Sequence, residues 1–207
     1  MCNSMKSLMK EYNTPERQGP LNIGDKLPAF CKKAVVPGEN GYEVISIDQQ
    51  FAAAKEKWLV LFWWPKDFTF VCPTEIIAFN AATGHFQERS CLVMGASTDT
   101  EHVHLAWLAH HPGLKALRIP LLADTSKSLA TDMGILDKAE KVAYRATYII
   151  DPAGVIRWLS IHDMQVGRNV EEVLRVLDAL QTTDLTPCGW KPGEQTLTAQ
   201  LTAAGVQ

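Results

Sequence analysis

The stretch KWLVLFWW (57–64) is apolar at every position after Lys57. A strand that is hydrophobic on both faces must be covered on both, which places it at the centre of a sheet with helices above and below. It is too short to be a membrane span, which takes about 20 apolar residues. Pro65 stops the strand, and the chain that leaves it carries the sequence PKDFTFVCPTE (65–75).

The rest of the chain is patterned to surround such a strand. YEVISI (42–47), CLVMGAST (91–98) and RIPLLAD (118–124) read as further strands. Helical segments follow Cys72, span DTEHVHLAWLAHH (closed by Pro112 and Gly113), and run through TSKSLATDMG to Gly134. VAYRATYIID and VIRWLSI flank Pro152-Ala153-Gly154, a hairpin signal. Asn169, with Glu172 following, is placed to cap a last helix whose buried stripe is Val170, Val173, Leu174, Leu177 and Leu180. This order predicts an α/β fold: a mixed central β-sheet flanked by helices. Reactive groups in such sheets gather beyond the carboxyl ends of the strands, where Cys72 lies. The expected organisation is a flexible leader over 1–20, one domain over 21–181 and a loop-rich tail over 182–207.

Charge narrows the function. The net charge is −3, with 46% apolar and 21% charged residues. No basic cluster marks a nucleic-acid groove, and the tryptophans at 63, 64 and 107 read as core or subunit contacts rather than a base-stacking platform. No apolar run suits a membrane, and the beginning MCNSMKSLMKEYN does not read as a signal peptide, so the expected location is cytoplasmic.

Five cysteines stand at 2, 31, 72, 91 and 188. Their odd number and long spacings, with no C-x-x-C, argue against a disulfide framework and a zinc ribbon. Cys31 and Cys91 lie in apolar strand contexts and are expected to be small core residues. The histidines at 102, 104, 110 and 111 have no cysteine or carboxylate that completes a metal ligand set.

Cys72 differs from the others. Proline suits the first helical position, so Pro73 predicts a helix starting there with Cys72 as its N-cap. A sulfur at that point faces free N–H groups and the positive end of the helix dipole, both of which favour thiolate. Glu75 is spaced to bond back to the cap, Thr69 to aim its hydroxyl at the same point, and Pro65 to stiffen the loop. The bland alternative is a buried inert cysteine. Ionisation alone raises the reactive fraction only about thirtyfold over an ordinary thiol at neutral pH, so a fast enzyme also needs groups that stabilise charge on whatever the sulfur attacks. Arg145 shares one sheet face with Thr147 and Ile149. It is either a strand-edge residue reaching solvent or the partner of an anion, and beside a thiolate it would also donate to substrate oxygens.

PKDFTFVCPTE resembles the peroxiredoxin signature P-x-x-x-T-x-x-C, here Pro65, Thr69 and Cys72. HLAW (104–107), IPLLAD, the segment from RATYIIDPAGV to LRVLDALQ, and CGWKPGE extend the likeness from about LNIGDKLPAF onward. The chain is most similar to the AhpC group of alkyl hydroperoxide reductases, in particular the branch served by an AhpD-type reductase. The resemblance implies a thioredoxin-like fold and a peroxidase that needs no metal or prosthetic group. Cys72 would be the peroxidatic residue attacking the O–O bond of hydrogen peroxide or an organic hydroperoxide. Thr69 and Arg145 would bind the peroxide oxygens, Pro65 would shield the sulfur, and Glu75 and Arg168 would orient Arg145. Cys188 would be the resolving cysteine, closing an intersubunit disulfide in a homodimer that assembles into a higher ring. A separate dithiol protein, AhpD-type, thioredoxin or AhpF-type, would then reduce the disulfide.

Two departures matter. PCGW lacks the two residues that many relatives carry after this cysteine, and the G-G-L-G insertion and Tyr-Phe ending of eukaryotic members are replaced by HHPGLKALRIP and TAAGVQ. Fast resolution and resistance to over-oxidation are the expected consequences. The rival readings are a thiol-disulfide oxidoreductase, which would want a cysteine where Glu75 stands, and an oligomeric holdase chaperone.

Overall fold

The computed structural model describes residues 19–39, 41–53 and 56–205. Most of the expected leader, with Cys2, lies outside them. The chain divides into two compact units, the first ending at Arg168 and the second beginning at Asn169.

The first unit is built on seven strands: β1 (Cys31–Gly38), β2 (Gly41–Asp48), β3 (Trp58–Trp63), β4 (Cys91–Ser97), β5 (Leu121–Ala123), β6 (Arg145–Ile150) and β7 (Ile156–His162). They form one mixed sheet in the order β2-β1-β5-β4-β3-β6-β7. β4 runs parallel to β3 and to β5, and the remaining pairs are antiparallel. Among the described residues this unit has the α-helices α1 (Gln50–Ala53), α2 (Val71–Ala81), α3 (Thr83–Glu88), α4 (Glu101–His110) and α5 (Ser128–Asp132), with a 3-10 turn over Pro112–Leu114. The expected mixed sheet flanked by helices is the observed one.

β3 is covered on both faces, as its sequence requires. Leu59, Leu61 and Trp63 join the core cluster that includes Met94, Ala146 and Tyr148. Phe62 faces the other way and stacks on Phe79 of α2, ring centroids 4.1 Å apart. This aromatic layer explains Gly95 on the neighbouring strand: a Cβ there would lie 2.7 Å from Trp64 Cζ3 and 2.9 Å from Phe62 Cζ. Any side chain at 95 would force the tryptophan off the sheet. The tryptophans at 63, 64 and 107 are all buried.

The β6–β7 hairpin forms where Pro152-Ala153-Gly154 signals it, with Asp151 Oδ1 accepting from the N–H groups of Ala153 and Val155. For β1 the sequence suggests only a strand context at Cys31 and no bounds: only Ala34, Val35 and Val36 are buried among its eight residues. Cys31 opens this strand exposed and disulfide-bonded, so it is neither a core residue nor a free thiol. The apolar context around it buries Phe30 and residues 34–36 instead. Cys91 is buried, as expected.

The second unit contains α6 (Val170–Thr182) and α7 (Leu197–Ala203). Asn169 caps α6 by accepting from the N–H groups of Glu171 and Glu172. Val173 and Leu177 are the fully buried members of its apolar stripe. α7 stands where a loop was expected, capped by Thr196, whose side chain accepts from Ala199 N. No helix among the described residues is long and apolar enough to cross a membrane.

Candidate active site

Cys72 lies one residue inside α2, not at its cap. The cap is Phe70, in right-handed helical backbone and without a side-chain cap bond. The cause is that every N–H of a first helical turn lacks an intrahelical acceptor, so proline is accommodated anywhere in that turn and marks the turn rather than its first residue. Cys72 still sits at the positive end of the helix, with 1% of its surface exposed.

Arg145 reaches it from the first position of β6. The side chain is buried, and Nη1 lies 3.3 Å from Cys72 Sγ and 2.7 Å from Glu75 Oε2. Nε donates to the Met164 carbonyl at 2.6 Å. Nη2 has no hydrogen-bond partner among the described residues, which leaves its N–H groups for a ligand. The solvent-reaching alternative for Arg145 is thereby removed.

Glu75 does not close a capping box. Its carboxylate accepts from Arg145 Nη1, from Arg168 Nε and Nη2 at 2.8 Å each, and from the Arg168 backbone N–H at 3.1 Å. A buried carboxylate answers two buried cations before it answers a helix terminus. Arg168 also donates to the Ala146 carbonyl and to Thr147 Oγ1. Its guanidinium carbon stands 5.4 Å and 5.8 Å from the ring centroids of Phe62 and Phe79, a cation–π floor beneath the ion pairs.

The loop from Pro65 to Phe70 forms the other wall. Pro65 is buried and Thr69 half-buried. Thr69 Oγ1 donates to the Lys66 carbonyl at 3.1 Å, so its proton is committed and its lone pairs are left to accept. Phe68 and Phe70 are exposed on either side of Thr69. With Ile77, Trp107, His110 and Pro112 they line an open groove of ≈ 430 Å³.

The structure thus brings Cys72, Glu75, Arg145 and Arg168 into direct contact and places Pro65 and Thr69 on the loop leading to Cys72. Cys188 belongs to the second unit. It is an exposed free thiol in the turn closed by Trp190 N–H to the Pro187 carbonyl, with Gly189 at φ +71°. Cys91 contrasts with both: burial pushes its thiol up to about 12, which leaves it inert. Sequence reasoning missed the buried pair of Asp67 and His104, whose side chains meet at 2.7 Å beneath the loop. The available signal was an acidic residue inside the short segment between Pro65 and Thr69, next to Phe68.

Comparison with known proteins shows the family and the fold. The family model described as AhpC/TSA family matches residues 23–159. Alkyl hydroperoxide reductase C of Mycolicibacterium smegmatis is 44% identical over 191 residues, covering 89% of this chain and 97% of that protein. Peroxiredoxin-2 of Mus musculus is 44% identical over 186 residues, covering 86% and 91%. Among solved structures, Mycobacterium tuberculosis AhpC superposes with a TM-score of 0.72 at 42% identity, covering 78% of this chain and 99% of that one. The reduced 2-Cys peroxiredoxin of Plasmodium vivax gives 0.78 at 32% identity, covering 89% and 100%. A thiol at a helix start under a buried arginine, in a thioredoxin-like sheet with relatives of this kind, identifies the chain as a member of the AhpC/TSA family, the peroxiredoxins.

Proposed function

We propose that the chain is a cysteine-dependent peroxidase that reduces hydrogen peroxide and organic hydroperoxides, with Cys72 as the peroxidatic residue. The observation that carries this reading is the 3.3 Å contact between Arg145 Nη1 and Cys72 Sγ. A guanidinium there stabilises a thiolate, and its unpartnered Nη2 has further donors available to whatever the sulfur attacks. Thr69, with its own proton engaged, accepts from the protonated peroxide oxygen. Sulfur attacks the terminal oxygen, an S–O bond forms as the O–O bond breaks, and the leaving hydroxide or alkoxide takes a proton to become water or alcohol. Cys72 is oxidised by two electrons to sulfenic acid while the peroxide is reduced. Pro65 shields the product, and Glu75 and Arg168 hold Arg145 in place.

Cys188 of a second copy then condenses with the sulfenic acid, releasing water and forming a disulfide. A dithiol protein of AhpD, thioredoxin or AhpF type returns two electrons to it. Two features favour self-association. β7 is one of the two edge strands of the sheet, seven residues without proline, with an unpaired edge among the described strands. The exposed Phe68, Phe70 and Ile77 give further assembly into a ring an apolar face to bury. The position a disulfide exchanger would need as a second cysteine is filled by Glu75, which is fully committed to two arginines.

Stopped-flow peroxide consumption separates these functions. Cys72→Ser is expected to abolish rapid reaction with one equivalent of peroxide; unchanged consumption would reject the peroxidase.

A further inference from the structure

Asp67 stands in the loop between Pro65 and Thr69, buried, with both carboxylate oxygens engaged. Oδ1 accepts from Trp64 Nε1 at 2.8 Å, and Oδ2 lies 2.7 Å from His104 Nδ1. Its backbone N–H donates to Asp99 Oδ2 at 2.8 Å. The His104 side chain is fully buried on α4, and its Nε2 meets the Leu122 carbonyl at 3.3 Å. Both ring nitrogens therefore face oxygen, and the bonds are satisfied when imidazole and carboxyl together hold the protons for both. None of these groups touches Cys72.

The next residue explains what they are for. Phe68 has φ +55°, the left-handed region that a bulky side chain disfavours. Such a conformation persists only where its surroundings impose it. Phe68 is itself exposed, so its own burial does not hold the backbone there. Asp67 immediately before it is fixed on three sides, and Thr69 immediately after it is bent back onto the Lys66 carbonyl. A buried polar pair of this kind is often no more stable than an apolar replacement, so its value lies in specifying one geometry.

We propose that Asp67 and His104 are positioning residues: they impose the left-handed turn at Phe68 and thereby aim Thr69 at the peroxide. The inference rests on the reading of Cys72 and Thr69 as the peroxidatic site.

The test is a double-mutant cycle. His104→Asn keeps a donor where Nδ1 stands and so preserves the bond to Asp67, whereas His104→Gln reaches Leu122 and releases Asp67. Each is combined with Thr69→Val. The second-order rate with hydrogen peroxide is measured by stopped flow, alongside iodoacetamide alkylation of Cys72, which reads the sulfur without Thr69. His104→Gln is expected to slow the peroxide reaction by roughly tenfold to a hundredfold, as misplacement of a binding group does. His104→Asn recovers most of that rate, and alkylation stays within about threefold in both. In the Thr69→Val background the glutamine costs less than about twofold more, because the two residues act through one another. Equal losses in the asparagine and glutamine variants, a full loss persisting without Thr69, or alkylation falling in step would overturn the proposal. Should the glutamine variant fail to fold, Trp64→Phe removes the other anchor of Asp67 while keeping a ring, and the same coupling to Thr69 is required of it. Peroxide turnover that survives Cys72→Ser sinks the site itself; uncoupled losses with Cys72 still essential sink only the positioning role.

Discussion

Glu75 decides whether the site exists. Its single carboxylate receives four donors from two buried arginines, and removing its charge strands both. Glu75→Gln is expected to cost roughly 3–5 kcal/mol of stability, the usual penalty for breaking a buried ion pair, read as a lower urea midpoint. The peroxide rate should fall as well, because Arg145 loses the bond that turns Nη1 toward sulfur. The other cysteines make a complementary expectation. Cys188 is exposed and free, so it should be the fast-labelling thiol in the native protein, while Cys91, with burial raising its thiol to about 12, should label only after denaturation. Peptide mapping of label distinguishes them. The place of Cys72 at a helix start was legible from the proline that follows it; Arg145 stood out as a charge in a buried strand, but only the resemblance chose between its two readings. The partners of Glu75 were not legible from spacing, since they come from β6 and from the segment beyond β7.

At the level of elements, strongly apolar segments were legible and weakly patterned ones were not. β3 announces itself by having no polar face to turn outward, and β6 by the hairpin signal that follows it. β1 hides because Lys32, Lys33, Pro37 and Gly38 dilute its three buried residues, and only its pairing with β2 and β5 makes it a strand. α7 hides because LTAQLTA is short and has no fully buried residue. α6 was readable from its cap, and the cap can be weighed: Asn169→Ala should cost about 1 kcal/mol in a thermal or urea melt. The loop after β4 gives a pH expectation. Burial raises the Asp99 carboxyl, with the Asp67 charge adding to this, while the Asp67 backbone N–H bond, the nearby His104 and the Ser97 hydroxyl oppose it. The folded chain thus holds this proton more tightly than the unfolded chain. Its stabilisation is complete below the ordinary carboxylate range and is lost as pH rises through the raised value. Asp99→Asn, which keeps an acceptor for the Asp67 N–H, should flatten the fall in melting temperature across that window.

For the whole molecule, the expected behaviour is that of a machine completed by a second copy. Cys188→Ser should still turn over once with hydroperoxide yet fail to form a disulfide dimer on non-reducing gels, and a covalent dimer persisting in that variant would assign resolution to another cysteine. The arrangement at Arg145 adds a consequence for the cycle. Two guanidiniums share one carboxylate, which leaves one positive charge in excess, and the anionic sulfur that the proposed chemistry requires would balance it. Once peroxide converts that anion into an uncharged sulfenic acid, a positive excess is left walled off from water, at a cost that rises with the seal around it. On the proposed chemistry the reduced pocket is therefore the better balanced of the two states, and oxidation is expected to weaken the hold of the two guanidiniums on Cys72.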